Sequence, residues 1–231
     1  MTDFTRRTVL AGIAATAGFA PGAARAGAAV DLATSMIVVQ RFLAAGIPVH
    51  SYTVSSTSMI PTLRKGVVVV GDLRLAGHTP LRGDIVLFDR PDRTVYIKRV
   101  IGVPGDRVAF ENSAPIVNGI RPSWTAEAPL VMGSGEDRLE IPVMREQFPD
   151  AAPYQIALID EGESALSDVH ERVLDEDEVY VVGDNRTNSI DSRLPDFGPV
   201  RLRDLVGRVV YRLRPDADWL VPKSSIPGYP A

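Results

Sequence analysis

The chain has 231 residues, a formal net charge of −4 at pH 7 and no cysteine. This length allows one large domain or two small ones, and the lack of cysteine excludes disulfides, a thiol nucleophile and thiolate metal sites. His50, His78 and His170 are far apart and lack the short spacing of metal ligands. Residues 106–180 carry 17 acidic and 5 basic side chains, so this stretch is −12 and the remainder is +8. The basic remainder fits either an anionic lipid surface or an ordinary solvated face. No basic run is interleaved with aromatic residues, which disfavours nucleic-acid binding.

The amino terminus has the order of an export signal. Arg6 and Arg7 precede a weakly apolar run from Val9 to Ala20, and Ala24-Arg25-Ala26 supplies small residues for a cleavage site. The paired arginines and the Ala- and Gly-rich run are typical of the twin-arginine class. The run of 12 residues is shorter than the ~20 that a membrane-spanning helix needs. We therefore predict that residues 1–26 are an export signal or, if uncleaved, a weak anchor that holds the chain outside the cytoplasm.

The next elements predict one short helix and then a mostly β fold. Apolar residues recur at helical spacing over residues 31–46, and Gly46-Ile47-Pro48 ends the pattern. Short apolar runs bounded by turn residues predict strands, namely Val49–Val54, Val67–Val70, Ile85–Phe88, Val95–Ile101, Ala114–Val117, Val179–Val182 and Val206–Leu213. Residues 111–178 are rich in Pro, Gly and acids and predict a less regular β insertion, and the Pro-rich residues 215–231 predict a loop.

A serine-rich turn follows the first predicted strand. Pro61 restricts Ile60 to extended geometry, which gives a defined turn that presents Ser58. Ser56 lies two residues earlier, so in an extended approach both hydroxyls face the same way. One hydroxyl is placed to attack and the other to donate to an oxyanion, although a turn of this composition is usually only a turn.

Lys98 lies in the predicted strand Val95–Ile101, in which alternate residues face opposite sides. It therefore shares a face with Tyr96 and Val100. Burial disfavours the ammonium and lowers its pKa, and a change from ~10.4 to near 7 takes about 4–5 kcal/mol. A lysine tuned in this way serves as a general base, whereas a lone strand lysine is more often solvated.

A polar segment, residues 183–193, follows the strand Val179–Val182. Asp191 and Arg193 are spaced to pair on one face and to stiffen the loop. Ser189 is placed to orient the lysine amine by a hydrogen bond. The alternative is a surface loop with a weak, exposed ion pair.

Four motifs occur in a specific order: Ser-x-Ser-Met-x-Pro-Thr-Leu, Arg-Gly-Asp-x-Val, Tyr-Ile-Lys-Arg-x-x-Gly-x-Pro-Gly-Asp and Gly-Asp-Asn-Arg-x-Asn-Ser-x-Asp-Ser-Arg. Together they resemble the bacterial type I signal peptidase family over about 40% of the chain, residues 49–110 and 179–212. The resemblance implies an antiparallel β catalytic core, residues 27–110 and 179–214, with a second β domain inserted at 111–178.

The resemblance also implies roles for individual residues. Ser58 is the implied nucleophile and Lys98 the implied general base, with Ser56 and the backbone N–H of Ser58 as the oxyanion hole. Ser189 would orient Lys98. Asp191 and Arg193 are the implied structural brace. The implied substrate pocket is lined by Val54, Met59, Leu63, Tyr96 and Ile97.

The implied substrate is an exported preprotein whose signal peptide carries small residues, as in Ala-x-Ala, before the cleavage point. We expect no metal or organic cofactor, a monomer, and contact with the inner-membrane lipid surface on the periplasmic face, or a periplasmic protein if the signal is removed.

Three positions and the amino terminus depart from the family pattern. Ser55 and Thr57 replace the usual Pro and Gly, so the bulk of Thr57 is expected to narrow the approach to Ser58, and Thr187 replaces a common Asp. The amino terminus shows an export-type signal in place of strong transmembrane helices. These departures favour a specialised substrate as an alternative, such as a pilin matured by a conjugative-transfer peptidase, or self-processing. A third interpretation is that the chain is a non-catalytic, exported β binding module.

Overall fold

The computed structural model describes residues 36–75, 79–91, 94–133, 138–158, 166–214 and 218–229. The predicted export signal and the beginning of the predicted helix lie outside these residues. The first described element is a helix, α1, over residues 36–44. None of the helices in the described part of the chain has the length and apolar character that crossing a membrane requires.

Fourteen strands follow α1 in the described segments. In chain order they are β1 Val49–Thr53, β2 Val68–Asp72, β3 Ile85–Asp89, β4 Val95–Gly102, β5 Arg107–Glu111, β6 Ala114–Val117, β7 Ser123–Met132, β8 Leu139–Gln147, β9 Tyr154–Ala157, β10 Val169–Val173, β11 Glu178–Val182, β12 Val200–Arg201, β13 Leu205–Arg214 and β14 Asp218–Trp219. Every run predicted as a strand overlaps one of them, and the predicted mostly β fold with a short N-terminal helix is confirmed.

The largest sheet has the order β1-β2-β13-β3-β4-β11-β12, with β14 paired to β13. All of its strand pairs are antiparallel. The strand β13 lies between β2 and β3, which are consecutive in the chain. The loop that carries Ser58 therefore joins two strands on one side of β13, and the strand β4 that carries Lys98 lies on the other side.

Two three-stranded sheets, β10-β5-β6 and β7-β8-β9, come from the segment between β4 and β11. The first of these includes β5, which precedes the predicted domain boundary at residue 111 and pairs with β6 and β10. Apolar residues of both small sheets pack against the end of the large sheet in one buried cluster that includes Ile101, Phe110, Ile156 and Val182. This packing fixes the inserted sheets against β4 and β11.

Residues 218–229, which the composition predicts to be loop, are more regular than expected. They contain β14 and a short 3₁₀ helix over Lys223–Ser225. The cause is aromatic packing: the rings of Trp219 and Tyr229 lie 5.9 and 4.7 Å from the ring of Phe42 on α1. The tail thus closes the core beneath α1.

Candidate active site

The turn that presents Ser58 is held at its ends and from below. Val54 N donates to Val67 O at 2.8 Å, which closes the loop between β1 and β2. Inside the loop, Leu63 N donates to Met59 O at 2.7 Å. Met59 and Leu63 are buried in the apolar cluster beneath the turn. Because the apolar side chains point inward, Ser58 is fixed at the surface of this cluster.

Lys98 reaches Ser58 from β4. Its Nζ donates a hydrogen bond to Ser58 Oγ at 2.6 Å, and only 4% of the residue is exposed. Burial lowers the pKa of Lys98 from 10.5 to about 8, although the carboxylates of Asp191 and Asp184 act in the opposite direction. A substantial neutral fraction of the amine is therefore present near pH 8, as a base requires.

Ser56 completes the polar group around Ser58. Its hydroxyl lies 3.0 Å from Ser58 Oγ. The spacing of two residues brings both hydroxyls to one side of the turn, as predicted from the sequence. A hydroxyl at this distance can donate to negative charge that develops beside Ser58.

A cavity of about 330 Å³ opens onto Ser58 and Lys98. Of the five residues that the resemblance assigns to a substrate pocket, four line it: Val54, Met59, Tyr96 and Ile97. Leu63 does not, because it is fully buried against the same apolar cluster as Met59. Further lining residues that the sequence did not single out for this cavity are Asn188 and Ile190. A larger cavity of about 480 Å³, lined in part by Thr62 and Arg99, includes neither Ser58 nor Lys98.

The loop after β11 packs directly against the turn that carries Ser58. Asn185 N donates to Ser58 O at 3.0 Å, and Asn185 Nδ2 donates to Thr57 O at 3.3 Å. Gly183 is required by the close approach, since a Cβ there would lie 2.4 Å from Ser58 O and 2.3 Å from Ser189 Oγ. The two loops therefore form one unit.

Ser189 lines the cavity beside Lys98 and is buried. No hydrogen bond links its Oγ to Lys98 in the described part of the chain, where the one that Nζ makes is to Ser58 Oγ. Ser189 thus lies in the same cavity lining as Lys98 without a hydrogen bond to it, and its orienting role stays a prediction.

Asp191 and Arg193 form the pair that the spacing suggests, and both side chains are fully buried. Arg193 Nε and Nη2 donate to the two carboxylate oxygens at 2.9 and 2.8 Å. Asp191 also accepts from Gly183 N at 3.0 Å. Burial alone would raise the pKa of Asp191, but Arg193 and the backbone donor outweigh it and the pKa is lowered. The pair is a buried brace and not the exposed alternative.

Sequence reasoning missed a second buried pair under the site. Arg99, next to Lys98, donates through Nε and Nη2 to the two oxygens of Asp184, both at 2.7 Å. Thr62 Oγ1 donates to the same carboxylate at 2.5 Å. This pair ties β4, the turn that carries Ser58 and the loop after β11 together. Its one sequence signal is that each partner stands beside a residue already singled out, Lys98 or Gly183.

A third buried pair joins the inserted sheets to the site. Arg186 and Glu146 have no exposed side-chain surface and are 2.6 Å apart at their nearest atoms. Arg193 Nη1 donates to Arg186 O at 2.6 Å, so this pair adjoins the Asp191 brace. The sequence offered no signal for it, because Glu146 stands among many acidic residues of the insertion.

Comparison with known proteins gives one consistent result. The family model described as signal peptidase, peptidase S26, matches residues 28–214. A signal peptidase I of Bacillus caldolyticus is 32% identical over 170 residues, covering 71% of this chain and 79% of that protein. Signal peptidase I V of Bacillus subtilis strain 168 is 34% identical over 158 residues, covering 68% and 80%. A solved signal peptidase I from Enterococcus faecalis V583 overlaps 56% of this chain and 95% of that chain, at 23% identity and a TM-score of 0.31. The family match spans every described strand except β14.

Proposed function

Because the chain belongs to the signal peptidase family, peptidase S26, we propose that it is a serine endopeptidase with Ser58 as nucleophile and Lys98 as general base. The observation that carries this proposal is the 2.6 Å contact between Ser58 Oγ and the buried Nζ of Lys98. A serine hydroxyl is a weak nucleophile until a neighbouring base accepts its proton. A lysine serves as that base once burial has lowered its pKa.

The reaction is an acyl transfer. The neutral amine of Lys98 accepts the proton of Ser58 Oγ as the oxygen attacks the scissile carbonyl carbon. The negative charge passes to the carbonyl oxygen, which the N–H of Ser58 and the hydroxyl of Ser56 stabilise. Collapse of this intermediate breaks the C–N bond, and the Lys98 ammonium returns the proton to the leaving amine.

The second half of the reaction releases the acyl group. Lys98, neutral again, takes a proton from a water molecule that attacks the ester carbonyl. The ester bond to Ser58 breaks, and the proton returns to Ser58 Oγ. The brace of Asp191 and Arg193 fixes the loop that lines the cavity beside Lys98, and Ser189 lies on that loop.

We propose that the substrates are signal peptides of exported preproteins, cut after small residues as in Ala-x-Ala. The cavity lined by Val54, Met59, Tyr96 and Ile97 is mostly apolar and modest in size, which suits small side chains. The catalytic domain would then act outside the cytoplasm at the membrane, where such substrates emerge. Thr57 at the cavity wall favours small residues further.

Two variants test the proposal. Ser58→Ala and Lys98→Ala are each expected to abolish cleavage of an Ala-x-Ala peptide while circular dichroism stays that of the parent protein. Lys65→Ala, at an exposed lysine of the loop between β1 and β2 that does not line the cavity, serves as a matched control that leaves the dyad and the cavity intact. Undiminished turnover in both dyad variants would refute the mechanism.

A further inference from the structure

Glu146 is the most completely enclosed carboxylate of the inserted sheets. It lies on β8, and its two oxygens accept hydrogen bonds from Arg186 Nη1 and Nη2 at 2.8 and 2.6 Å. Trp124 Nε1 donates at 2.8 Å and Tyr154 Oη donates as well. Burial alone would raise the pKa of Glu146, but Arg186 and the neutral donors outweigh it, so the pKa is lowered. An ionised carboxylate therefore holds Arg186 from the insertion side.

The backbone carries this anchorage to the nucleophile. Arg186 N donates to Ala157 O at 3.0 Å, and Ala157 N donates to Asp184 O at 2.8 Å. The residue between them, Asn185, donates from its N–H to Ser58 O at 3.0 Å. A shift of Arg186 is thus passed along one short, hydrogen-bonded segment to the carbonyl of Ser58.

A buried ion pair such as this one is weak evidence for a role in stability alone. Exchanging a buried ion pair for apolar residues of similar volume is often neutral or even stabilising. What the charged pair adds over apolar packing is a fixed position, since the bidentate contact allows Arg186 one orientation.

We propose that Glu146 is a positioning residue for the hydrolytic reaction, and that the inserted sheets are in this way part of the catalytic apparatus. Glu146 fixes Arg186, the segment 184–186 follows, and the attack angle of Ser58 depends on that segment. The inference rests on the proposed function, in which Ser58 is the nucleophile.

Two changes at Glu146 separate position from stability. Glu146→Asp keeps the charge but shortens the side chain by one bond of about 1.5 Å, so Arg186 must move to stay paired. The double variant Glu146→Leu with Arg186→Met removes both charges and retains bulk. Glu140→Gln, an exposed position on the same strand that pairs with the exposed Arg138, is the matched control.

The measurement is kcat and KM on an Ala-x-Ala peptide, with kcat expressed per folded molecule from circular dichroism. Both Glu146 changes are expected to lower kcat by about 10- to 100-fold with little change in KM, as displacement of a reacting group by about 1 Å does. The rate of labelling by a serine-acylating reagent should fall in parallel. Glu140→Gln should match the parent protein.

The outcomes distinguish the inference from its premise. Parental kcat in both Glu146 variants, or a loss that disappears once the folded fraction is counted, would overturn the positioning role. If the double variant does not fold, Glu146→Asp decides alone, because it retains the charged pair. Cleavage that survives Ser58→Ala would instead overturn the proposed function, whatever the Glu146 variants do.

Discussion

The burial of Lys98 makes a prediction about stability that needs no substrate. The perturbation is Lys98→Met, which keeps an unbranched side chain and removes the charge. The pKa of Lys98 is lowered from 10.5 to about 8 in the folded protein. Between these two pH values the unfolded chain binds more protons than the folded one, so the stability of the parent protein rises with pH across this interval. Below pH 8 both states are charged and the cost of burying the ammonium is present in full.

The magnitude follows from the two pKa values. At about 1.36 kcal/mol for each pH unit, the interval from about 8 to 10.5 corresponds to about 3 kcal/mol. Lys98→Met does not pay this cost at any pH. Its free energy of unfolding relative to the parent is therefore expected to fall by about 3 kcal/mol between about pH 7 and pH 10.5. Loss of the hydrogen bond to Ser58 lowers the free energy of unfolding of Lys98→Met by about 1 kcal/mol at every pH.

The assay is urea unfolding of both proteins at several pH values across this interval. Lys65→Met, at an exposed lysine of the loop between β1 and β2, is the control and should give a difference independent of pH. If the free energies of unfolding of Lys98→Met and of the parent protein changed equally with pH, burial would not be lowering the pKa of Lys98. A lysine base at position 98 would then lose its physical cause.

Three further predictions concern the same site. Asp191→Asn should move the rising limb of kcat/KM, expected near pH 8, to lower pH, because the Asp191 carboxylate raises the pKa of Lys98. An unchanged midpoint in a pH–rate profile would contradict this. Gly183→Ala should lower kcat, measured by steady-state kinetics, by about tenfold or more, since the added Cβ falls 2.4 Å from Ser58 O and displaces Ser58. Parental turnover would show that the two loops can move apart without displacing Ser58. Thr57→Gly should raise the ratio of kcat/KM for a peptide with Val before the cleavage point to kcat/KM for the Ala peptide by about tenfold. An unchanged ratio in competition assays would show that Thr57 does not select substrates by size.

The strands of the large sheet were accessible from the sequence because each combines apolar residues with clear turn signals. β3 and β11 are buried along nearly their whole length, so their apolar runs stand out. In β7, by contrast, only Leu130 is buried, so the strand shows no apolar alternation to detect. The inserted sheets were accordingly predicted as irregular, and only β6 was located.

The residues of the candidate site also divide into those that the sequence reveals and those that it does not. Ser58, Lys98 and the Asp191–Arg193 pair stand in local patterns that motif order makes specific. The pair of Arg99 and Asp184 joins positions 85 residues apart, and periodicity carries no information over such distances. The pair of Glu146 and Arg186 was hidden for a different reason, since nothing local separates one buried acid from its solvated neighbours.

The place of β13 in the large sheet has a consequence for when the enzyme can first act. The loop with Ser58 joins two strands on one side of β13, and the strand with Lys98 lies on the other side. Leu205, the first residue of β13, follows Ser58 by 147 residues and Lys98 by 107. An incomplete chain therefore holds both chemical groups without the sheet that sets them 2.6 Å apart. Sheets that depend on such distant pairings also form slowly. On the proposed mechanism, a nascent chain cannot hydrolyse its neighbours until β13, which carries neither residue, has been synthesised.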